Sequence, residues 1–239
     1  MTTRIILLLD ESSSMASDYA RTISARNEII LNQKNVKIKG ETTPPKFTYY
    51  TFSWKLSEPI EFDSIEDVNT DLLKYAPDGM TALLDAVGLI ATKYMNEENV
   101  ILFVNTDGEE NSSQEFTTIK LKELLLKLQN DKNWKIHYIG ANVDAWTISQ
   151  KMGIHNYTQS QTTTPLHPGL VRETSLNMSM YRSMNSSSIP SVPTIKKTPK
   201  NEPKDLVFQE INELQSLVND NANDQDDDGE IDFEESLSF

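Results

Sequence analysis

Residues 4–10 read R-I-I-L-L-L-D, five consecutive aliphatic residues between an arginine and a carboxylate. A strand with one wet face would alternate apolar and polar residues. An unbroken apolar run this short instead fits a strand covered on both faces, as in parallel sheets. Val100 to Thr106 repeats the pattern and is again followed by an aspartate, Asp107. Phe47 to Trp54, aromatic and rich in threonine, reads as a further strand, as do Lys135 to Gly140 and the shorter His155 to Thr158. Between them the apolar spacing becomes helical: Ser17 to Leu31, Ala82 to Tyr94 (Leu83, Val87, Ile90, Ala91) and Phe116 to Gln129 (Phe116, Ile119, Leu124, Leu128). Asp144 to Lys151 and Leu170 to Met184 complete the helices. Alternation at these lengths predicts the α/β class, a doubly wound, mostly parallel sheet flanked by helices. Ligands of such sheets bind outside the carboxyl ends of the strands, so Asp10 and Asp107 belong on one rim.

The first strand runs straight into Asp10-Glu11-Ser12-Ser13-Ser14, which sets oxygen-bearing side chains at alternate positions 10, 12 and 14 ahead of a helix. Magnesium is a hard cation that takes oxygen ligands in octahedral geometry and retains waters, so two hydroxyls with water-mediated carboxylates suit it. Thr81, after the Asp78-Gly79 turn, supplies a third hydroxyl, and Asp107 a second carboxylate. With few carboxylates bound directly the ion stays electrophilic, and an open position could accept a carboxylate from a partner. Taken singly these elements are ordinary helix caps and turns. Their order is what matters: strand, D-x-S-x-S, helix; then Gly-x-Thr opening a helix; then strand and Thr-Asp-Gly.

In that order residues 1–184 resemble the von Willebrand factor type A domain, a doubly wound sheet bearing a metal-ion-dependent adhesion site. The resemblance implies that Ser12, Ser14 and Thr81 contact a divalent cation, Mg²⁺ or Mn²⁺, while Asp10 and Asp107 hold its waters. It also implies a protein partner that offers an acidic side chain, and no catalysis. Gly140 to Ala145 (G-A-N-V-D-A) looks like the segment after the fifth strand in prokaryotic, viral and phage members. Glu11 departs from the small residue common at its place and adds charge beside the site, as do Glu109 and Glu110, which points to weaker ligand binding than in adhesive relatives. The same carboxylate rim admits a rival reading, a metal-assisted phosphoester hydrolase, and family analogy a third, an adaptor subunit of an ATPase machine.

The formal charge of −14 is concentrated at one end. From Lys200 onward thirteen acidic residues face two lysines, whereas residues 1–199 hold twenty-three against twenty. A Ser/Pro-rich stretch, residues 185–203, separates the two parts and reads as a flexible linker. Residues 204–239 then read as an acidic helix followed by Asp224-Gln225-Asp226-Asp227-Asp228-Gly229-Glu230-Ile231-Asp232-Phe233-Glu234-Glu235. This segment fills the twelve-residue calcium-loop template. Asp224, Asp226 and Asp228 wrap one ion, Gly229 allows the sharp turn, Glu230 contributes its carbonyl, and Glu235 closes the shell with both oxygens. The loop resembles an EF-hand with a short exiting helix and no second loop to pair with, and it implies bound Ca²⁺.

An acidic balance argues against binding nucleic acid. No apolar run approaches the length of a membrane span or a signal-peptide core, and there are no cysteines, which together suggest a cytoplasmic protein. His137, His155 and His167 have no ligand spacing, no phosphate-binding loop or nucleophile elbow is present, and Trp54, Trp134 and Trp146 read as packing residues.

Overall fold

The computed structural model describes residues 2–107, 110–140, 143–154, 156–159 and 168–186, all inside one compact unit, Met1–Ile189. Most of the expected linker and all of the tail, with Asp224, Asp226, Asp228, Glu230 and Glu235, lie outside the described residues.

Six strands form one sheet in the order β3-β2-β1-β4-β5-β6. They are β1 (Arg4–Asp10), β2 (Lys46–Phe52), β3 (Ile60–Phe62), β4 (Val100–Thr106), β5 (Lys135–Gly140) and β6 (Asn156–Gln159). All neighbours pair in parallel except β3, a short antiparallel edge strand on β2. Its three residues carry too little pattern to stand out in the sequence. The helices are α1 (Tyr19–Asn35), α2 (Leu83–Lys93), α3 (Thr118–Asp131), α4 (Val143–Lys151) and α5 (Pro168–Ser186). No helix among the described residues is long and apolar enough to cross a membrane.

The unbroken apolar run of β1 serves both layers. Ile5, Leu7 and Leu9 join Ile29 and Ile30 of α1 and Val171 and Met178 of α5. Ile6 and Leu8 join Leu83, Val87 and Ile90 of α2 and Leu121 and Leu125 of α3. From β1 the chain moves outward to β2 and β3, then returns to place β4 on the other side of β1. The sheet therefore reverses its order between β1 and β4, and the carboxyl ends at such a reversal are where ligands of open α/β sheets bind.

Two expectations fail for local reasons. Ile119 is 75% exposed, because α3 begins only at Thr118 with Thr117 capping Lys120 N–H, and this phase turns Leu121 and Leu125 inward beside the expected Leu128. Trp54 is 61% exposed: β2 ends at Phe52, which bridges back to Leu56, and the intervening turn carries Trp54 outward. Trp134 is buried as expected, its indole N–H donating to Glu97 O at 2.9 Å.

A buried polar seam ties α5 to α1. The Arg182 guanidinium donates to the Gln33 carbonyl at 2.8 Å and to both Glu41 carboxylate oxygens at 3.1 and 2.6 Å, and Gln33 donates to Ser175 O at 2.9 Å.

Candidate metal centre

Asp10 closes β1 with its side chain fully buried. One carboxylate oxygen accepts the Ser12 N–H at 2.7 Å, and the other accepts the Thr106 hydroxyl at 2.6 Å from the end of β4. Thr106, the first residue of the Thr-Asp-Gly element, holds the Asp10 carboxylate, a role that the element's spacing does not reveal. Its signal is parity: it lies on the same face of β4 as Leu102 and Val104, a hydroxyl in an otherwise apolar row. Burial drives the Asp10 carboxyl up to about 6; the Thr106 and Ser12 hydrogen bonds pull it down, and the charge of Asp107 pushes it further up. Asp107, directly after β4, is therefore close enough to act on Asp10 through its charge. Tyr75 donates its hydroxyl to the Asp10 carbonyl at 2.8 Å and fixes the strand end from the other side.

The three serines divide their work by position. Ser12 stands at the cap of a 3-10 turn, Ser13–Asp18, yet its side chain caps no N–H. Its hydroxyl instead meets the Ser14 hydroxyl at 3.0 Å. Ser13 is tied to the neighbouring loop, accepting from Gly79 N at 2.9 Å and donating its own N–H to Gly79 O at 3.0 Å. These bonds carry the Gly79-Met80-Thr81 segment to the D-x-S-x-S loop. Thr81 is 2% exposed, with its N–H donating to Asn111 Oδ1 at 2.8 Å.

Glu11 does not stand free beside the centre. Its carboxylate accepts the Ala76 N–H, and its carbonyl accepts Asp78 N at 2.8 Å, so the side chain is tied to the 76–80 loop while its negative charge stays beside the centre. Glu110 is likewise occupied, accepting from Leu84 N at 2.9 Å at the start of α2 and from Ser113 N and the Ser113 hydroxyl. Asp85 accepts from the N–H groups of Gln114, Glu115 and Phe116 at 2.7–2.9 Å, latching this loop to α2. Glu109 lies outside the described residues.

The donor set fits a small hard cation. Cis oxygen ligands about 2.1 Å from an octahedral magnesium lie about 3.0 Å apart, which is the separation of the Ser12 and Ser14 hydroxyl oxygens. Asp10 stands directly behind them, a carboxylate with both oxygens already engaged and an ionisation cost that a nearby cation would offset. Among the described residues no group of three or more His, Asp or Glu could hold a metal without the hydroxyls.

No protein-family model matches the chain, and no curated protein sequence matches it significantly. Solved structures do match. Proximal thread matrix protein 1 from the mussel byssus aligns over 74% of this chain and 46% of its own, with TM-score 0.55 and 16% identity. The vWF domain of the type V pilus tip protein Mfa5 from Porphyromonas gingivalis aligns over 81% of this chain and 99% of its own, with TM-score 0.53 and 10% identity. The fold is that of the von Willebrand factor type A domain. A second structure of the byssus protein, described as having a zinc-occupied MIDAS motif, matches with TM-score 0.52 at 16% identity. This chain spans less than half the length of the byssus protein.

Proposed function

We propose that this chain is a non-enzymatic, metal-dependent protein-binding module. Ser12, Ser14 and Thr81 would hold a divalent cation of the Mg²⁺ type, with Asp10 and Asp107 fixing its waters. The observation that carries this reading is the paired Ser12 and Ser14 hydroxyls in front of the buried Asp10 carboxylate, at the point where the sheet reverses its order. The bound ion supplies Lewis acidity toward an oxygen ligand. The chain's own residues do the rest: Thr106 and the Ser12 N–H orient Asp10, Tyr75 anchors its backbone, and the Ser13–Gly79 pair brings Thr81 to the same rim. A centre of hydroxyls and indirectly acting carboxylates leaves the ion electron-poor, so its free position favours an anionic oxygen, the carboxylate of a partner's Asp or Glu. The zinc-occupied motif of the byssus protein, on the same fold, supports the choice of site.

Calorimetric titration of Mg²⁺ and Mn²⁺ into the full chain tests the first part. Heat in wild type and none in Asp10→Asn is expected; equal heat in both removes the site. Phosphatase assays in the same buffers are expected to show no turnover, and turnover lost in Asp10→Asn would replace the binding reading with a hydrolase.

The second part concerns the C-terminal loop, where Asp224, Asp226, Asp228, Glu230 and Glu235 would bind Ca²⁺. Calcium titration of the full chain with Glu235→Gln as control checks it. Absence of heat in wild type at millimolar calcium would return this segment to a simple acidic tail.

A further inference from the structure

Beside the candidate centre stands an apolar ledge that the metal motif does not account for. Trp54 is 61% exposed and Met80 53%. Gly79, which pairs through two hydrogen bonds with Ser13, has a positive φ of 88°. A Cβ built there would sit 2.7 Å from Trp54 Cδ1, so the indole edge rests against the loop that carries Met80 and Thr81. Lys55 places its ammonium 4.7 Å over the indole ring. Ser53, on the other side of Trp54, accepts the Ala82 N–H through its carbonyl at 2.7 Å, fixing the base of the ledge to the start of α2. A large indole held this way loses little conformational freedom when it is covered, the property of an interface anchor.

The charge around the ledge determines what can cover it. The nearby carboxylates of Glu11, Glu110 and Asp85 are each held by backbone N–H groups and Asp78, beside Gly79, is exposed, whereas Lys55 carries its positive charge on the ledge itself, over the indole. A divalent ion at Ser12 and Ser14 and the Lys55 ammonium would be the two points of attraction for an acidic segment carrying an apolar side chain. In an extended chain, residues two apart face the same way about 7 Å from each other. The ledge adjoins the metal loop through Gly79, which bonds Ser13 and lies against Trp54, so a side chain two residues from the acidic one is the candidate to reach it.

Resting on the reading of Ser12, Ser14 and Asp10 as a carboxylate-accepting metal centre, we infer that Trp54 and Met80 form its specificity subsite. The occupant is a partner polypeptide in extended conformation that gives an Asp or Glu to the ion and lays an aromatic or large aliphatic side chain on the indole. Lys55 adds attraction without being required. The acidic residue decides whether binding depends on metal, and the apolar residue decides which acidic segments are chosen.

The test uses the full chain and short labelled Gly/Ser peptides carrying one Asp, with Phe, Leu or Ser two residues away, followed by fluorescence anisotropy in Mg²⁺ and in chelator. Wild type should prefer the Asp/Phe and Asp/Leu peptides over Asp/Ser by about tenfold, the scale of a buried aromatic anchor. Trp54→Ala should abolish that preference while Asp/Ser peptides still bind only in Mg²⁺, and Trp54→Phe should keep most of it. Asp10→Asn should lose Mg²⁺-dependent binding of every peptide. If Asp10→Asn bound as well as wild type, the carboxylate-to-metal reading would fail, and the Trp54 result would still report on the ledge. Absence of a preference in wild type, or a preference that survives both Trp54→Ala and Met80→Ser, overturns the subsite.

Discussion

Replacing Asp10 with Asn should stabilise the metal-free protein at neutral pH while destroying its response to magnesium. The carboxyl is fully buried, and burial raises it from 3.8 to about 6, which corresponds to about 3 kcal/mol at 1.36 kcal/mol per pH unit. The direction follows from proton linkage. Below pH 4 the group is protonated in both the folded and the unfolded chain and contributes nothing. As pH rises from 4 to 6 the unfolded chain ionises first, so the folded state loses stability, and above 6 the whole cost is present. Asparagine has the same shape and keeps an oxygen for the Ser12 N–H; its amide can donate to the Thr106 hydroxyl, which now accepts. The advantage of Asp10→Asn over wild type should therefore be about 3 kcal/mol larger at pH 7.5 than at pH 4. Urea denaturation of both proteins in chelator, across that range, measures it. Subtracting one protein from the other cancels every group that titrates alike in both, His137 included. With Mg²⁺ at a hundred times its dissociation constant, wild type should gain about 2.7 kcal/mol and the variant nothing. A difference that stays flat with pH, or a variant that still gains from Mg²⁺, would refute the assignment of Asp10 as a buried, charge-strained partner of a cation.

Three further outcomes test the scaffold. His137, stacked on Phe103 at 5.2 Å, is held by burial at about 4 against an ordinary 6.5; its contribution is intact above 6.5 and falls by about 3 kcal/mol as pH drops to 4. His137→Phe should remove that acid-side loss, seen as a flatter chelated pH–stability curve. Arg182→Met leaves the partly buried Glu41 carboxylate without its guanidinium and should cost about 1–3 kcal/mol in urea melts, most of it recovered by adding Glu41→Gln. Gly88→Ala would bring a Cβ within 2.5 Å of the Phe116 ring and should cost about 1–3 kcal/mol by overpacking α2 against that ring, with Phe116→Leu as the compensating change.

The apolar runs of β1 and β4, each followed by an aspartate, carry the architecture and the location of the rim, and the spacing of Asp10, Ser12 and Ser14 carries the chemistry of the centre. Period and spacing report which face of a local segment is buried and which side chains a turn brings together, and both are properties of a few adjacent residues. The same patterns misplace Ile119 and Trp54, because the start of α3 and the end of β2 are set by a cap and a bridge rather than by apolar spacing.

The sequence by itself determined a doubly wound sheet and marked Asp10, Ser12 and Ser14 as the candidate oxygen-lined centre. Only the tertiary structure decided how that centre is charged and flanked. Glu11 and Glu110 look in the sequence like surplus charge beside the site. In the fold both side chains are tied to backbone, the N–H groups of Ala76 and Leu84, 65 and 26 residues away along the chain. Thr106 reaches Asp10 across 96 residues, and the raised carboxyl, the latched α2 loop and the exposed Trp54 ledge follow from similar long-range placements. Desolvation and hydrogen-bond partnership depend on what surrounds a group in space, and only the folded chain brings those distant residues together.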